Sequence, residues 1–225
     1  LMKKNELYEE LKRQILTLKL SPGENLEEIS LCNEYKISRT PLREILQKLA
    51  GEGYIELIKN RGATVSSMDY KTLRNFFITA PMMYSAVGRL AAKNATQSQI
   101  EELQQVQGNF IKANKMNDID GMSLYNNRFH RLIGEMADNN YLMPSYDLLL
   151  IDHARIGQTF FHAISKEMLN DLKEVSKHHD KMIECIIKGD SEGMVILTHE
   201  HWRLAKDHLE MYVRPDPLPD KMLNE

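Results

Sequence analysis

The stretch KISRTPLREILQKLAGEGYIELIKNRGATV, Lys36 to Val65, decides the architecture of the N-terminal part of the chain. Leu42, Ile45, Leu46 and Leu49 recur at the i, i+3, i+4, i+7 spacing of one helix face. Thr40, Arg43 and Gln47 therefore point the other way, with Arg39 at the helix start. Ser38 or Thr40 suits the N-cap, and Pro41 is tolerated in the first turn. After Gly51 and Gly53, YIELI alternates apolar and polar residues, KNRG supplies a turn and ATVS a second short strand. Upstream, Leu7, Leu11, Ile15 and Leu18 mark a helix that ends at the Pro22–Gly23 turn. A second, short helix should run from about Leu26 to Tyr35 and stop at Lys36. Helix, helix, turn, helix and a two-stranded wing make a winged helix-turn-helix.

From Asp69 onward glycine and proline are sparse, and helical patterns run near 69–95, 97–116, 118–137, 141–164, 167–188 and 191–212. The expected fold class is mainly α. A winged helix-turn-helix occupies 1–66, an all-α bundle of about six helices 69–212, and a proline-bearing polar tail, extended or disordered, 213–225. With 225 residues and 42% hydrophobic content the chain can bury such cores. The opening LMKKNELYEELKRQIL lacks the unbroken apolar run of a signal peptide, and no later run reaches membrane-spanning length, so a cytoplasmic protein with no membrane contact is expected. Cys32 and Cys185 are far apart, which suits a reducing compartment and core-filling roles.

A net charge of −3 argues against a wholesale polyanion binder, yet Lys36 to Arg61 carries six Lys/Arg against three Glu. A solvated helix face accounts for that bias as readily as DNA does, and some winged helices contact only proteins. If DNA is the partner, the third helix lies in the major groove, where an Arg guanidinium can bond both O6 and N7 of guanine. Thr40, the helix N-terminal amides, Lys59 and Arg61 are suited to phosphate instead.

PGENL and the stretch quoted above resemble the N-terminal signature of GntR-family bacterial transcription regulators, with its S-R-T-P-x-R-E core and R-G-x-x-V wing. The resemblance implies a double-stranded DNA operator in the form of a short inverted repeat. It implies Arg39 and Arg43 as the base-reading pair, with Gln47 on the same face. Thr40 and Pro41 would then lie by the phosphates, and Lys59, Arg61 and Gly62 at the wing tip. Where the second helix of that family often carries a polar residue facing DNA, this chain has Ile29.

In the C-terminal part, His130, His179 and His201 lie on apolar stripes of three different predicted helices. His130 edges the Met122, Tyr125, Phe129, Ile133 and Met136 face, with Asn126 one turn back. Each can be a satisfied core histidine, as His208 can; imidazoles that converge would instead suit a Zn²⁺-like ion. NNRFHRLI, HHDKMIECIIKGD and THEHW resemble the three metal-site segments of the FCD effector domain found in the FadR-type branch. That pattern implies Asn126, His130, His179 and His201 as ligands of one divalent ion, Zn or Ni, and leaves His178 and His199 as surface residues. Asn in place of Asp leaves the ion's charge uncompensated, which favours a small organic acid as effector. In FFITAPMMYSAVGRLAA the family's effector-binding Arg is missing, Pro81 should kink the helix, and Arg155 or Arg128 becomes the candidate cation for the effector. The reading is a homodimeric, ligand-responsive transcription factor. Its alternatives are a metal-dependent hydrolase built on the three histidines, and a regulator without metal.

Overall fold

A computed structural model describes residues 4–58, 62–162 and 166–206. The N-terminal unit is built from α1 (Lys4–Leu16), β1 (Asn25–Leu26), α2 (Glu28–Tyr35), α3 (Arg39–Gly51), β2 (Ile55–Ile58) and β3 (Gly62–Val65). Leu7, Leu11 and Ile15 on α1 meet Leu42, Ile45, Leu46 and Leu49 on α3 in one buried cluster. α2 ends where Lys36 adopts the left-handed conformation, and its N–H bonds back to the Cys32 carbonyl. α3 starts after Ser38, which holds the extended N-cap backbone without a side-chain bond to the helix.

The sheet has three strands, in the order β1-β3-β2, all antiparallel. Sequence alternation predicts only the two-stranded wing and places Leu26 at the start of the second helix. Leu26 instead pairs with Ala63 and is buried. The Gly23 turn (φ 78°) carries the chain back along β3, whose free edge would otherwise leave its N–H and C=O groups unpaired. A two-residue strand is too short for alternation to reveal it. Gly62 (φ 95°) is where β3 begins; a Cβ there would lie 2.5 Å from the Leu26 carbonyl oxygen, so only glycine fits beside β1.

Six further helices are described: α4 (Tyr70–Asn94), α5 (Gln97–Lys115), α6 (Ile119–Ala137), α7 (Met143–Phe160), α8 (Lys166–Lys188) and α9 (Ser191–Lys206). Their starts follow from short polar caps. Asp69 accepts from Thr72 N at 2.7 Å, Thr96 and Gln99 form a capping box, and Asp118 accepts from Gly121 N at 2.9 Å. α4 continues through Pro81, which has no N–H to offer the preceding turn; packing against α6 and α9 holds the helix on both sides of it. The apolar faces of α4 to α9 share one core. The 213–225 tail and His208 lie outside the described residues.

α7 belongs to both units. Ile151 and Ala154 are part of the N-terminal cluster, whereas Tyr146, Leu150 and Phe160 are part of the helical core. Gly53 (φ 87°) lies so close to α7 that a Cβ would come within 2.3 Å of Leu148 Cδ2. Lys19 pairs with Asp120 at 2.8 Å, and Gln158 donates to the same carboxylate at 2.8 Å. At the junction, the buried Arg155 donates to the carbonyls of Ser66 (2.7 Å) and Ser67 (3.3 Å) and pairs with Asp152.

Candidate functional site

On the N-terminal unit, burial of the four apolar residues of α3 leaves Arg39, Thr40, Arg43 and Gln47 exposed, with Pro41 half-buried in the first turn. Arg39, Arg43 and Gln47, together with Leu57, Ile58 and Gly62, border a groove of about 990 Å³, of which Thr40 and Pro41 are not part. Ile29 on α2 faces the same groove and is exposed. The Arg43 guanidinium is already oriented: Nε lies 3.0 Å from both Glu28 carboxylate oxygens, and a terminal nitrogen lies 3.0 Å from one of them. A fork held at the mouth of a groove is pre-set for a planar partner, and the exposed pair can exchange Glu28 for another acceptor at little cost. Lys59 and Arg61, expected at the wing tip, lie outside the described residues.

In the helical unit Asn126 and His130 (α6), His179 (α8) and His201 (α9) come together in the core, all at least nine-tenths buried. The ring centroids of His130, His179 and His201 are 5.2 to 5.4 Å apart. Burial keeps these imidazoles neutral: that of His179 is pulled down to about 3, and those of His130 and His201 well below the ordinary value, with the neighbouring histidines adding to the effect. Neutral imidazoles present lone pairs. Four donor atoms in this cluster, Asn126 Oδ1, His130 Nε2, His179 Nε2 and His201 Nδ1, are buried without a hydrogen-bond partner. Each such orphan costs about 1–3 kcal/mol, so the cluster weakens the fold unless something binds to it.

The tautomer of His179 is fixed from behind. Gln107 Nε2 donates to Asp180 Oδ1 (2.9 Å) and to the Ser176 carbonyl (3.1 Å), which turns Oε1 of the same amide toward His179 Nδ1 at 3.0 Å. Nδ1 therefore carries the proton and Nε2 the free lone pair. Phe129 stacks on the same ring at 4.1 Å and restrains its plane. Buried, neutral imidazoles close to one another, one of them with its outer nitrogen tied to an amide oxygen, could hold a borderline divalent ion.

Other placements differ from expectation. His153 on α7 joins the cluster: His130, His153 and His201 offer nitrogens that all lie within 4.8 Å of one another. Its signal in the sequence is its position on the Tyr146, Leu150, Phe160 stripe, which reads as ordinary core. His178, expected at the surface, is buried with its ring 5.7 Å from His201, because α9 covers that side of α8; His199 is exposed as expected. Tyr125, placed on the apolar face from sequence, is exposed. Arg155 is engaged by the junction carbonyls, and Arg128 pairs with Glu102 and Glu135 at 2.7 Å each, so both candidate effector cations are already occupied. Two small cavities flank His201 and Trp202, about 30 Å³ beside Asn126 and His153 and about 10 Å³ beside His130. Among the described residues neither is lined by Lys or Arg.

A winged helix with an exposed arginine-bearing third helix, docked on a helical unit with a buried cluster of polar side chains, has the make-up of a two-domain DNA-binding regulator. Residues 3–65 match the family of bacterial regulatory proteins called gntR, and residues 82–204 match the FCD domain. The chain belongs to the GntR family of bacterial transcription regulators and carries an FCD domain. It is 29% identical over 198 residues to the HTH-type transcriptional repressor RspR of Escherichia coli K12, covering 87% of this chain and 84% of that one. It is 31% identical over 193 residues to the Nta operon transcriptional regulator of Aminobacter aminovorans, covering 75% and 88%. The fold matches that of E. coli McbR/YncC with a TM-score of 0.77 at 20% identity, over 92% of this chain and 96% of that one. These families and relatives are transcription regulators rather than enzymes, which removes the hydrolase alternative.

Proposed function

We propose that this regulator is a homodimeric, metabolite-responsive repressor whose helical unit holds a divalent ion, Zn or Ni, with His130, His179 and His201 and, weakly or through water, Asn126. The observation that carries the reading is the set of four orphaned donor atoms in an otherwise packed core. An ion bound there supplies a Lewis-acidic, doubly charged centre that attracts the carboxylate of a small organic acid. The histidines contribute no compensating charge, and an Asn amide at 126 contributes none either. With Arg128 and Arg155 committed elsewhere, the anion has that centre as its main attraction.

Tyr70, Ile78 and Met82 are large apolar side chains exposed on α4; a second copy packed there would cover them, which favours dimerisation through the helical unit. Two copies of α3 related by a two-fold axis would read an inverted repeat, with Arg39 and Arg43 on bases and Thr40, Lys59 and Arg61 on phosphates. The ligand signal would pass as a shift between two placements of the units, since effector affinity must differ between them.

The test is metal content, melting temperature and operator affinity of the purified protein with and without chelator, followed by calorimetric titration with small carboxylic acids. Bound ion should raise the melting temperature in step with the logarithm of its free concentration. Asn126→Asp should tighten the ion and weaken the acid. If a His130/His179/His201→Ala protein responds to chelator as the parent does, the histidines serve packing alone.

A further inference from the structure

His153 is a group that the family pattern does not assign. Its ring is 4.5 Å from that of His130, closer than the rings of His179 (5.3 Å) and His201 (5.4 Å). Nδ1 lies 2.9 Å from the Tyr84 hydroxyl oxygen, and Nε2 lies 3.3 Å from Asn126 Nδ2. With the amide in that orientation Nε2 is the acceptor, so Nδ1 carries the proton and donates to Tyr84. A ring N–H tied to an oxygen leaves the lone pair on the opposite nitrogen, which is the arrangement that outer partners impose on metal-binding histidines; here that lone pair accepts from Asn126 beside His130 and His201. His179 shows the same arrangement through Gln107. Trp202 covers the His153 ring at a centroid distance of 4.7 Å and limits its choice of rotamer.

We propose that His153 takes the coordination position that the family pattern gives to residue 126. This chain then holds its ion with four imidazoles, those of His130, His153, His179 and His201, while Asn126 stands outside the shell. The inference rests on the reading that the cluster holds an ion. It follows from ligand strength: imidazole is a far better ligand for a borderline divalent metal than a neutral amide, and His153 Nε2 lies 3.3 Å from the Asn126 amide nitrogen with a ring nitrogen within 4.8 Å of nitrogens of His130 and His201. It also gives Asn126 a use. Once His153 Nε2 is engaged, the Asn126 N–H is released beside the 30 Å³ cavity, where it can donate to a carboxylate oxygen. A carboxylate side chain at 126 would repel that oxygen, so Asn126 and His153 act as a matched pair: the imidazole on the ion and the amide on the acid.

The test is Zn²⁺ affinity by competition with a chromophoric chelator, for the parent and the variants His130→Ala, His153→Ala and Asn126→Ala, with the imidazole count of the zinc-loaded parent from X-ray absorption. The expected result is four imidazoles, a loss for His153→Ala as large as for His130→Ala, and a loss for Asn126→Ala within about tenfold, the low end for an outer partner. Three imidazoles, with Asn126→Ala losing as much as His130→Ala while His153→Ala stays near the parent, would overturn the assignment and leave the ion site standing. A parent that takes up no zinc would remove both. The absorption measurement on the parent decides the question even if His153→Ala does not fold.

Discussion

Replacing Arg155 by Met tests how firmly the two units are joined. The guanidinium is 1% exposed, spans the Ser66 and Ser67 carbonyls at 2.7 and 3.3 Å, and faces the carboxylate of Asp152. Methionine fills much of the volume but leaves two junction carbonyls and a half-buried carboxylate without their donor. Removing one member of a buried pair costs about 3–5 kcal/mol. Asp152 can retreat partly, because burial already pushes its carboxyl above the usual range and it can take up a proton. The low end, about 3 kcal/mol, is therefore the expected loss. At about 2–4 °C per kcal/mol for a chain of this size, the melting temperature should fall by about 6–12 °C.

The assay is thermal unfolding followed by circular dichroism, with amide exchange across 66–69 as a local readout. Arg155→Lys should fall between parent and Met, since an ammonium can neutralise Asp152 but cannot span both carbonyls. Arg155→Met with Asp152→Asn should recover at least about 1 kcal/mol relative to additive losses. A melting temperature within about 2 °C of the parent (under about 1 kcal/mol), together with unchanged exchange at the junction, would refute the claim that this contact bears energy.

Arg43→Ala should remove the preference for an inverted repeat over random duplex in a mobility-shift assay; equal losses on both would take Arg43 out of base reading. Glu28→Gln, which removes the acceptor now holding Arg43, should raise affinity for every duplex at low salt and lose that advantage at high salt. Gly62→Ala places a methyl 2.5 Å from the Leu26 carbonyl at a φ of 95° and should lower the melting temperature, while an unchanged value would contradict the β1–β3 register. Gln107→Leu should weaken zinc binding by about 10–100-fold by freeing the His179 tautomer, measured by chelator competition; full retention would deny Gln107 its orienting role.

Much of this was legible in the sequence because it rests on periodicity. The Leu42 to Leu49 stripe places the arginines of α3 on the outside, and His130, His179 and His201 lie on apolar stripes of three helices, where the resemblance to the FCD metal-site segments singles them out. The parts that were not legible depend on contacts between distant elements. β1 is two residues long and exists only because β3 offers an edge. His178 sits beside His179 but points about 100° away on the helix, and only the docking of α9 buries it. His153 occupies a core stripe of α7 and becomes significant only when α6 and α9 bring His130 and His201 against it. Arg155 reads in the sequence as a candidate cation for the effector, and its place at the junction is hidden because two of its partners are main-chain carbonyls that no residue pattern encodes.

α7 shows why those missed residues matter together. At 100° per residue, Leu148, Ile151, Asp152 and Arg155 share one side of the helix, and His153 lies roughly opposite with Tyr146, Leu150 and Phe160. One side closes the N-terminal core and grips the junction; the other faces the histidines. A rigid helix with that division cannot shift at one surface without shifting at the other. Coupling between an effector and an operator usually amounts to about 1–3 kcal/mol. The Arg155 clamp is worth about the same. A displacement of α7 that weakened this one clamp would therefore cost about as much as an effector's differential binding can provide. A longer chain of coupled residues is not required, because the docking of Gly53 against Leu148 already links α7 to the turn that follows the recognition helix.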